Sequence, residues 1–304
     1  MRQIQQHSVA VTNQARRDGV ASLEESTGEP PAIVSISDIH GYLNSAHSAL
    51  LTLRDHSEHD PVVVPDTDGQ LQWANENYVL LFNGDLTDRG DKNEAVLRMV
   101  SRLAAQAPPG RVRVTLGNHE AIALSADYFS YSQWYAGRSD REDRRALIDA
   151  IHDGLVVAGY QGYNYTYAHA GASKPYNTGT VNQRLVEAAH DLLNALGTQN
   201  DTAIQQGVID QYSRVLGTGD RRGPKSKGAG LVWLNLKHLP HNAPAQIVGH
   251  TKFETPQRQG NVVCQNVTLK NRHSKGGEAV FVETPDELVS LTRTQDGGTR
   301  QQDY

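Results

Sequence analysis

Tyr78-Val79-Leu80-Leu81-Phe82-Asn83-Gly84-Asp85-Leu86-Thr87-Asp88-Arg89-Gly90 sets five apolar, β-type residues directly against a polar turn. A short apolar run of that length reads as a buried strand. The turn behind it carries two aspartates and an arginine between two glycines. Glycine lets the backbone bend sharply and lets a ligand approach closely. Strand, sharp turn and chemistry-bearing side chains follow one another without a spacer.

The same arrangement recurs on both sides of this stretch. Ala32–Ile36 runs into Ser37-Asp38-Ile39-His40-Gly41, and Val112–Thr115 into Gly117-Asn118-His119-Glu120. Tyr163–Ala168 ends at His169-Ala170-Gly171, and Ala245–Val248 at Gly249-His250-Thr251. Val262–Cys264 and Ala279–Val282 are further candidate strands. Helical spacing is expected over Leu43–Arg54, Asn93–Ala107, Glu120–Ala126, Arg141–His152 and Val181–Leu196. The last has apolar Val181, Leu185, Ala188, Ala189 and Leu192 on one face. Strands alternating with helices indicate an α/β or layered fold. In such folds strand ends converge on one crevice, so residues distant in sequence build one site. The polar segments 1–31 and 293–304 are expected to be an N-terminal arm and a C-terminal tail around one domain at 32–292. Glu58–Asn77 reads as a polar insertion turning at Asp68-Gly69, and the Gly-, Arg- and Lys-rich stretch Gly217–Gly230 as a loop.

Each cluster offers oxygen or nitrogen donors. Asp38 and His40, two apart at a strand end, share a face in extended geometry. Asp85 has two oxygens with which to bridge two cations, Asn118 a carbonyl oxygen, and His169 and His250 imidazoles. With no thiolate among them, the set suits manganese, iron or zinc better than calcium. Taken singly, each cluster is compatible with a surface turn, and Asn118 with a helix cap. Independent turns, however, have no reason to supply this donor set in this order.

Five motifs in this order, above all Gly-Asp-x-x-Asp-Arg-Gly and Gly-Asn-His-Glu, resemble the calcineurin-like metallophosphoesterases. More narrowly they resemble the phosphoprotein phosphatase branch, over roughly residues 33–282. The resemblance implies a layered α-β-β-α sandwich, two sheets face to face with helices outside. It implies that Asp38, His40 and Asp85 hold one divalent cation, and that Asp85, Asn118, His169 and His250 hold a second. It further implies His119 as general acid, Asp88 as its orienting partner and Arg89 as a phosphate clamp. Lys252 stands where nuclease relatives carry a second histidine, which favours the phosphatase branch. Val263-Cys264-Gln265-Asn266 replaces the Ser-Ala-Pro-Asn-Tyr-Cys of eukaryotic members, pointing to the bacterial or archaeal type. Asn235 follows Trp233 where bacterial relatives place a second clamping arginine. Arg184, Arg214, Arg221, Arg222 and Lys237 are the candidates to replace it.

The chemistry explains the inventory. Two cations about 3.5–4 Å apart neutralise phosphoryl oxygens and activate a water between them for in-line attack. In the roles the resemblance implies, His119 would protonate the leaving oxygen and Arg89 would offer paired donors to phosphate. The expected function is hydrolysis of phosphate monoesters on proteins or small metabolites, with two divalent ions, manganese foremost. Hydrolysis of nucleotide anhydrides such as diadenosine tetraphosphate is the alternative, and a metal-binding interaction module without catalysis a third reading. A net charge of −5 gives no footing for nucleic acid. One cysteine, Cys264, forms no internal disulfide. No leader-like or membrane-spanning apolar run is present, and the default expectation is a cytoplasmic protein.

Overall fold

The computed structural model describes residues 19–23, 30–220 and 226–304. The chain enters through β1 (Ala32–Ile36), α1 (Leu43–Leu50), β2 (Val63–Pro65), β3 (Leu71–Trp73) and β4 (Tyr78–Phe82). It continues with α2 (Asn93–Gln106), β5 (Val112–Thr115), α3 (Asn118–Leu124), α4 (Ala126–Phe129) and α5 (Arg141–His152). Next come β6 (Val156–Val157), β7 (Tyr160–Gln161), β8 (Thr166–Tyr167), α6 (Thr178–Ala195), α7 (Asp201–Gln211) and α8 (Ser213–Leu216). The last part holds β9 (Gln246–Val248), β10 (Gln257–Gln259), β11 (Val262–Cys264), α9 (Thr268–Asn271), β12 (Ala279–Glu283), β13 (Leu288–Arg293) and β14 (Thr299–Asp303).

Two sheets carry the site. The larger has the order β14-β13-β12-β1-β4-β5-β6, with β1, β4, β5 and β6 parallel. The smaller runs β10-β11-β9-β8-β7, with β11, β9 and β8 parallel. Strand alternation divides the core. Ile33, Val79, Leu81 and Phe281 face inward and share one buried cluster with Tyr165 and with Tyr160, Tyr167, Ile247 and Val263 of the smaller sheet. Their neighbours Val34, Ile36, Leu80 and Phe82 face outward and are buried among Leu50, Leu97, Val100, Leu147 and Ile151 of the helices. Leu234, Leu236, Leu239 and Ala243 cover the smaller sheet against Val248, Val262 and Cys264. The result is the layered α/β sandwich expected, with the two sheets flanked by helices.

Four segments differ from expectation or fall outside it. Residues 293–304, expected as a tail, pair instead: β14 hydrogen-bonds to β13 from Val289↔Asp303 to Arg293↔Thr299. The hairpin turns at Asp296-Gly297, with Gly297 at φ 90°. Of the expected arm, residues 1–18 and 24–29 lie outside the described residues; Gly19 bridges Gln161, and Val20 and Leu23 are buried. The insertion at 58–77 folds as the β2–β3 hairpin, with Asp66 Oδ1 accepting from the amides of Asp68 (2.9 Å) and Gln70 (2.8 Å). In the Gly217–Gly230 stretch, residues 221–225 lie outside the described residues, while Gly230 N donates to Gly217 O (2.8 Å) at its base. No helix among the described residues is long and apolar enough to cross a membrane.

Candidate metal centre

The parallel strands of both sheets end at one place. Beyond β1 and β4 the two turns are laced together: Asp38 N donates to Gly84 O (3.0 Å), His40 N to Asp85 O (2.9 Å) and Gly90 N to His40 O (2.8 Å). Asp38, His40, Asp85, Asp88, Arg89 and His250 all lie at φ between 50° and 76°. Ser130 is the one other described non-glycine residue at positive φ. Left-handed backbone costs roughly 1–2 kcal/mol per residue and persists where the surroundings over-determine it, which is commonly at functional sites. The sequence-based route to convergence is therefore corrected. Asp38 and His40 share the site because both occupy left-handed turns, not because an extended strand points them to one face.

The turns bring the side chains together. His40 Nδ1 bonds Thr87 O (2.9 Å), which turns Nε2 toward Asp85 Oδ2 (3.6 Å) and Asp38 Oδ1 (3.8 Å). His169 Nδ1 bonds Asn83 O (3.0 Å), leaving Nε2 beside Asn118 Oδ1 (3.2 Å), His250 Nδ1 (3.2 Å) and Asp85 Oδ2 (3.4 Å). Asn118 Oδ1 also meets His250 Nδ1 (2.8 Å). Two buried donor sets result, His40–Asp85–His119 and Asp85–His169–His250, each with its atoms within 4.8 Å of one another. Asp85 belongs to both. Asp38 flanks the first set, and both its oxygens accept from His250 N (3.2 and 3.0 Å). Cys264 lies nearby but gives its thiol to Gly249 O and Thr251 O, so the donors are oxygen and nitrogen only.

A family model for calcineurin-like phosphoesterases matches residues 31–252, which span every one of these donors. The chain belongs to that family. Among curated relatives of this phosphoesterase is a symmetrical bis(5'-nucleosyl)-tetraphosphatase of Vibrio cholerae, 29% identical over 147 residues, 47% of this chain and 51% of the relative. Another is Shewanella-like protein phosphatase 1 of Plasmodium berghei, 34% identical over 101 residues, 33% of this chain and 25% of the relative. The chain thus spans about half the length of the first, and a quarter of the second. A solved cold-active protein tyrosine phosphatase shares the fold, with a TM-score of 0.61 at 18% identity over 89% of this chain and 78% of that one. A cold-active protein-tyrosine phosphatase of a psychrophilic Shewanella superposes at 0.57, 19% identical over 89% of this chain and 80% of its own.

Beside the phosphoesterase's shared carboxylate stands a buried imidazole–carboxylate pair. His119 Nδ1 bonds Asp88 Oδ2, and Nε2 faces inward, 3.9 Å from Asp85 Oδ2. Asp88 is itself fixed: Oδ1 accepts from Ala136 N (3.1 Å), and its own amide donates to Asn93 Oδ1 (2.7 Å). Trp134 packs over the His119 ring at 4.7 Å, and the Arg89 guanidinium lies 5.8 Å from the same indole. Arg89 is exposed at the mouth.

Burial and mutual charge set the protonation. Burial works against charge on His169, yet Asp85, with Asp38 behind it, holds it at about 9. Burial drives His40 down to about 3 despite Asp85. Asp38 rises to about 6 through burial, with Asp85 adding to the rise and His169 opposing it. Burial also works against charge on Asp85, but His169, His119 and His40 hold it well below the carboxylate range. An ionised Asp85 beside a neutral His40 and a proton-rich His169 is a group that could hold a divalent cation, whose binding would displace the protons. The residues present fit the metals the family uses.

Of the residues singled out from sequence, Asp38, His40, Asp85, Asp88, Asn118, His119, His169 and His250 lie together here, and Arg89 lies beyond Trp134. Three further contributors were not assigned a role from sequence. Glu120, fully buried, accepts from Asp85 N (2.9 Å), Leu86 N (2.9 Å) and Gly117 N (3.0 Å), tying the second and third turns together. Its spacing from Gly117 is that of an N3 acid in a capping box, a readable signal. Asn83 reaches across the sheets, donating to Ile247 O (3.2 Å) and accepting from Thr115 (2.6 Å). Trp134 has no sequence signal. Asn118 does not cap a helix: Gly117 does, and Asn118 is the first residue of α3. Glycine is required at 84 and 117, where a Cβ would collide with His169 and with Asp85.

The candidates for a second clamp separate. Arg221 and Arg222 lie outside the described residues. Arg184 pairs with Glu187 on an exposed turn of α6 (2.9 Å). Asn235 caps the 3-10 turn Leu236–His238 through Lys237 N (3.2 Å). Arg214 bonds Pro175 O (3.2 Å) and lines a cavity of about 930 Å³ with Lys174, Lys227 and Gly171.

Proposed function

We propose that this chain is a metal-dependent phosphatase of the cytoplasm, with one catalytic domain, that hydrolyses phosphate monoesters on proteins or small metabolites. The observation carrying the reading is the sharing of Asp85 by two buried donor sets, with the His119–Asp88 pair and Arg89 beside them. Asp38, His40 and Asp85 would hold one cation, and Asp85, Asn118, His169 and His250 the other, manganese suiting the oxygen and nitrogen donors best. When bound there, divalent ions would supply Lewis-acid stabilisation of phosphoryl charge and activation of water.

The chain's own residues do the rest. Asp88 fixes the His119 tautomer so that Nε2 faces the centre with its proton directed to the departing oxygen. Arg89 turns its guanidinium to the phosphoryl oxygens from the mouth, braced by Trp134. Removing His119 slows an ester by more the worse its leaving group.

The test is release of product by manganese-loaded protein from p-nitrophenyl phosphate, a phosphopeptide and an alkyl phosphate. His119→Ala should slow the alkyl ester by about 10²–10⁴-fold and the aryl ester far less. Equal slowing removes the acid role, and no release of product from any of these esters removes the reading. A second reading, hydrolysis of nucleotide anhydrides, is supported by the similarity to the Vibrio tetraphosphatase, and diadenosine tetraphosphate in the same panel tests it. Bound metal without turnover of any of the four would leave the interaction module.

A further inference from the structure

A groove of about 560 Å³ shares Arg89 with the surroundings of the centre and is otherwise lined by Tyr42, Lys252, Leu269, Lys270 and Arg272. Four of those six side chains are cationic and none is acidic, in a chain whose net charge is −5. The groove begins at Arg89, which also flanks the donor sets through Trp134. Lys270 and Arg272 are exposed in its lining, and Arg272 donates to Leu269 O (2.6 Å). Charge of one sign on a concave surface concentrates the opposite charge there. A second phosphate clamp accounts for one cation beyond Arg89, and the groove holds three.

We propose that Lys252, Lys270 and Arg272 form a second anion subsite that binds one or more further phosphate groups of the substrate, linked to the one being cleaved. The inference rests on the second reading above, anhydride hydrolysis at the metal centre, and adds the residues that hold the phosphates not being cleaved. Linked phosphates carry charge at every unit and so match neighbouring cations along a short groove. An extended acidic peptide turns alternate side chains away, about 3.3 Å apart along the strand, and presents only half its charge to one wall. Arginine gives paired donors to phosphate and lysine a point charge, and the groove holds both kinds. Tyr42 and Leu269 leave an apolar strip for the group beyond the phosphates.

Two measurements test it with Lys270→Ala/Arg272→Ala, and with Lys270→Glu in case loss of the Arg272 bond disturbs the segment. First, binding of tripolyphosphate and of inorganic phosphate is titrated calorimetrically on metal-stripped protein in EDTA. Tripolyphosphate should weaken at least tenfold in both variants, and inorganic phosphate by less than twofold. Second, kcat/KM for p-nitrophenyl phosphate with manganese should stay within twofold of wild type. Unchanged tripolyphosphate binding, or a parallel fall for both ligands, overturns the subsite. So does an acidic peptide that competes as well as tripolyphosphate. Because the binding arm needs neither metal nor turnover, failure of the wild type to cleave p-nitrophenyl phosphate counts against the hydrolase reading and leaves the subsite to stand or fall separately.

Discussion

Glu120→Gln isolates what holds the second and third turns in place. Glu120 Oε2 accepts from Asp85 N (2.9 Å) and Gly117 N (3.0 Å), and Oε1 from Leu86 N (2.9 Å). In its better orientation the glutamine oxygen keeps the first two bonds, while its amino group faces the Leu86 amide. One buried donor is then orphaned at a cost of about 1–3 kcal/mol, and two charge-assisted bonds become neutral ones, each weaker by about 1 kcal/mol. Against this, glutamine removes a charge that burial and Asp85 already disfavour, since both push the Glu120 carboxyl up. The net expectation is a loss of about 2 kcal/mol, a large share of the stability of a domain. Because the same bonds set the backbone of Asp85, manganese affinity should fall about 10–100-fold. Urea unfolding followed by tryptophan fluorescence and a manganese titration measure the two effects. A variant within about 0.5 kcal/mol of wild type, the ordinary scatter of a surface change, with undiminished manganese binding would refute the reasoning.

Asp85→Asn should abolish tight manganese binding and nearly all turnover, because both donor sets lose their common carboxylate; atomic absorption after gel filtration reads the metal content. Arg144→Met should cost about 3–5 kcal/mol in urea unfolding, since it strands Asp201, which Arg144 grips at 2.7 and 2.8 Å, and Arg144→Met/Asp201→Leu should recover most of it. Burial works against the Asp201 carboxylate, but Arg144 and Gln205 hold it at about 2, so its contribution is complete above its unfolded pKa of about 3.9 and disappears as pH falls through 2. Acid titration of Asp201→Asn should accordingly show a flatter loss of stability between those limits. Trp134→Ala should lower kcat/KM about tenfold with metal content unchanged, since the indole braces both His119 and Arg89; unaltered kinetics would make the stacking incidental.

Where backbone hydrogen bonding and apolar pattern agree, the sequence was sufficient. β1, β4, β5, β11 and α5 occupy the expected residues, because each is a short apolar run or an acid-capped periodic helix with its ends marked. Asp140 accepts from Glu142 N and Asp143 N at the start of α5, as a capping residue should. β14 was illegible for the opposite reason. Thr-Arg-Gln-Gln-Asp has no apolar face, and it is a strand only because the β13 edge supplies its partners. α7 has little sidedness, and it is fixed by Asp201 and Gln205 bonding to Arg144 and to Tyr128 N. At the site, residue identity was legible and conformation was not. No spacing rule announces that six of its side chains stand on left-handed backbone, since those torsions are imposed by neighbouring turns.

The donors divide by origin: Asp38, His40, Asp85 and Asn118 follow strands of the larger sheet, while His169 and His250 follow β8 and β9 of the smaller. An ion gripped by Asp85, His169 and His250 would therefore act as a rivet through both leaves of the sandwich. Occupancy and the mating of the leaves become one equilibrium, so whatever loosens the aromatic filling between them, as far off as Tyr160 or Phe281, also loosens the grip on the ion.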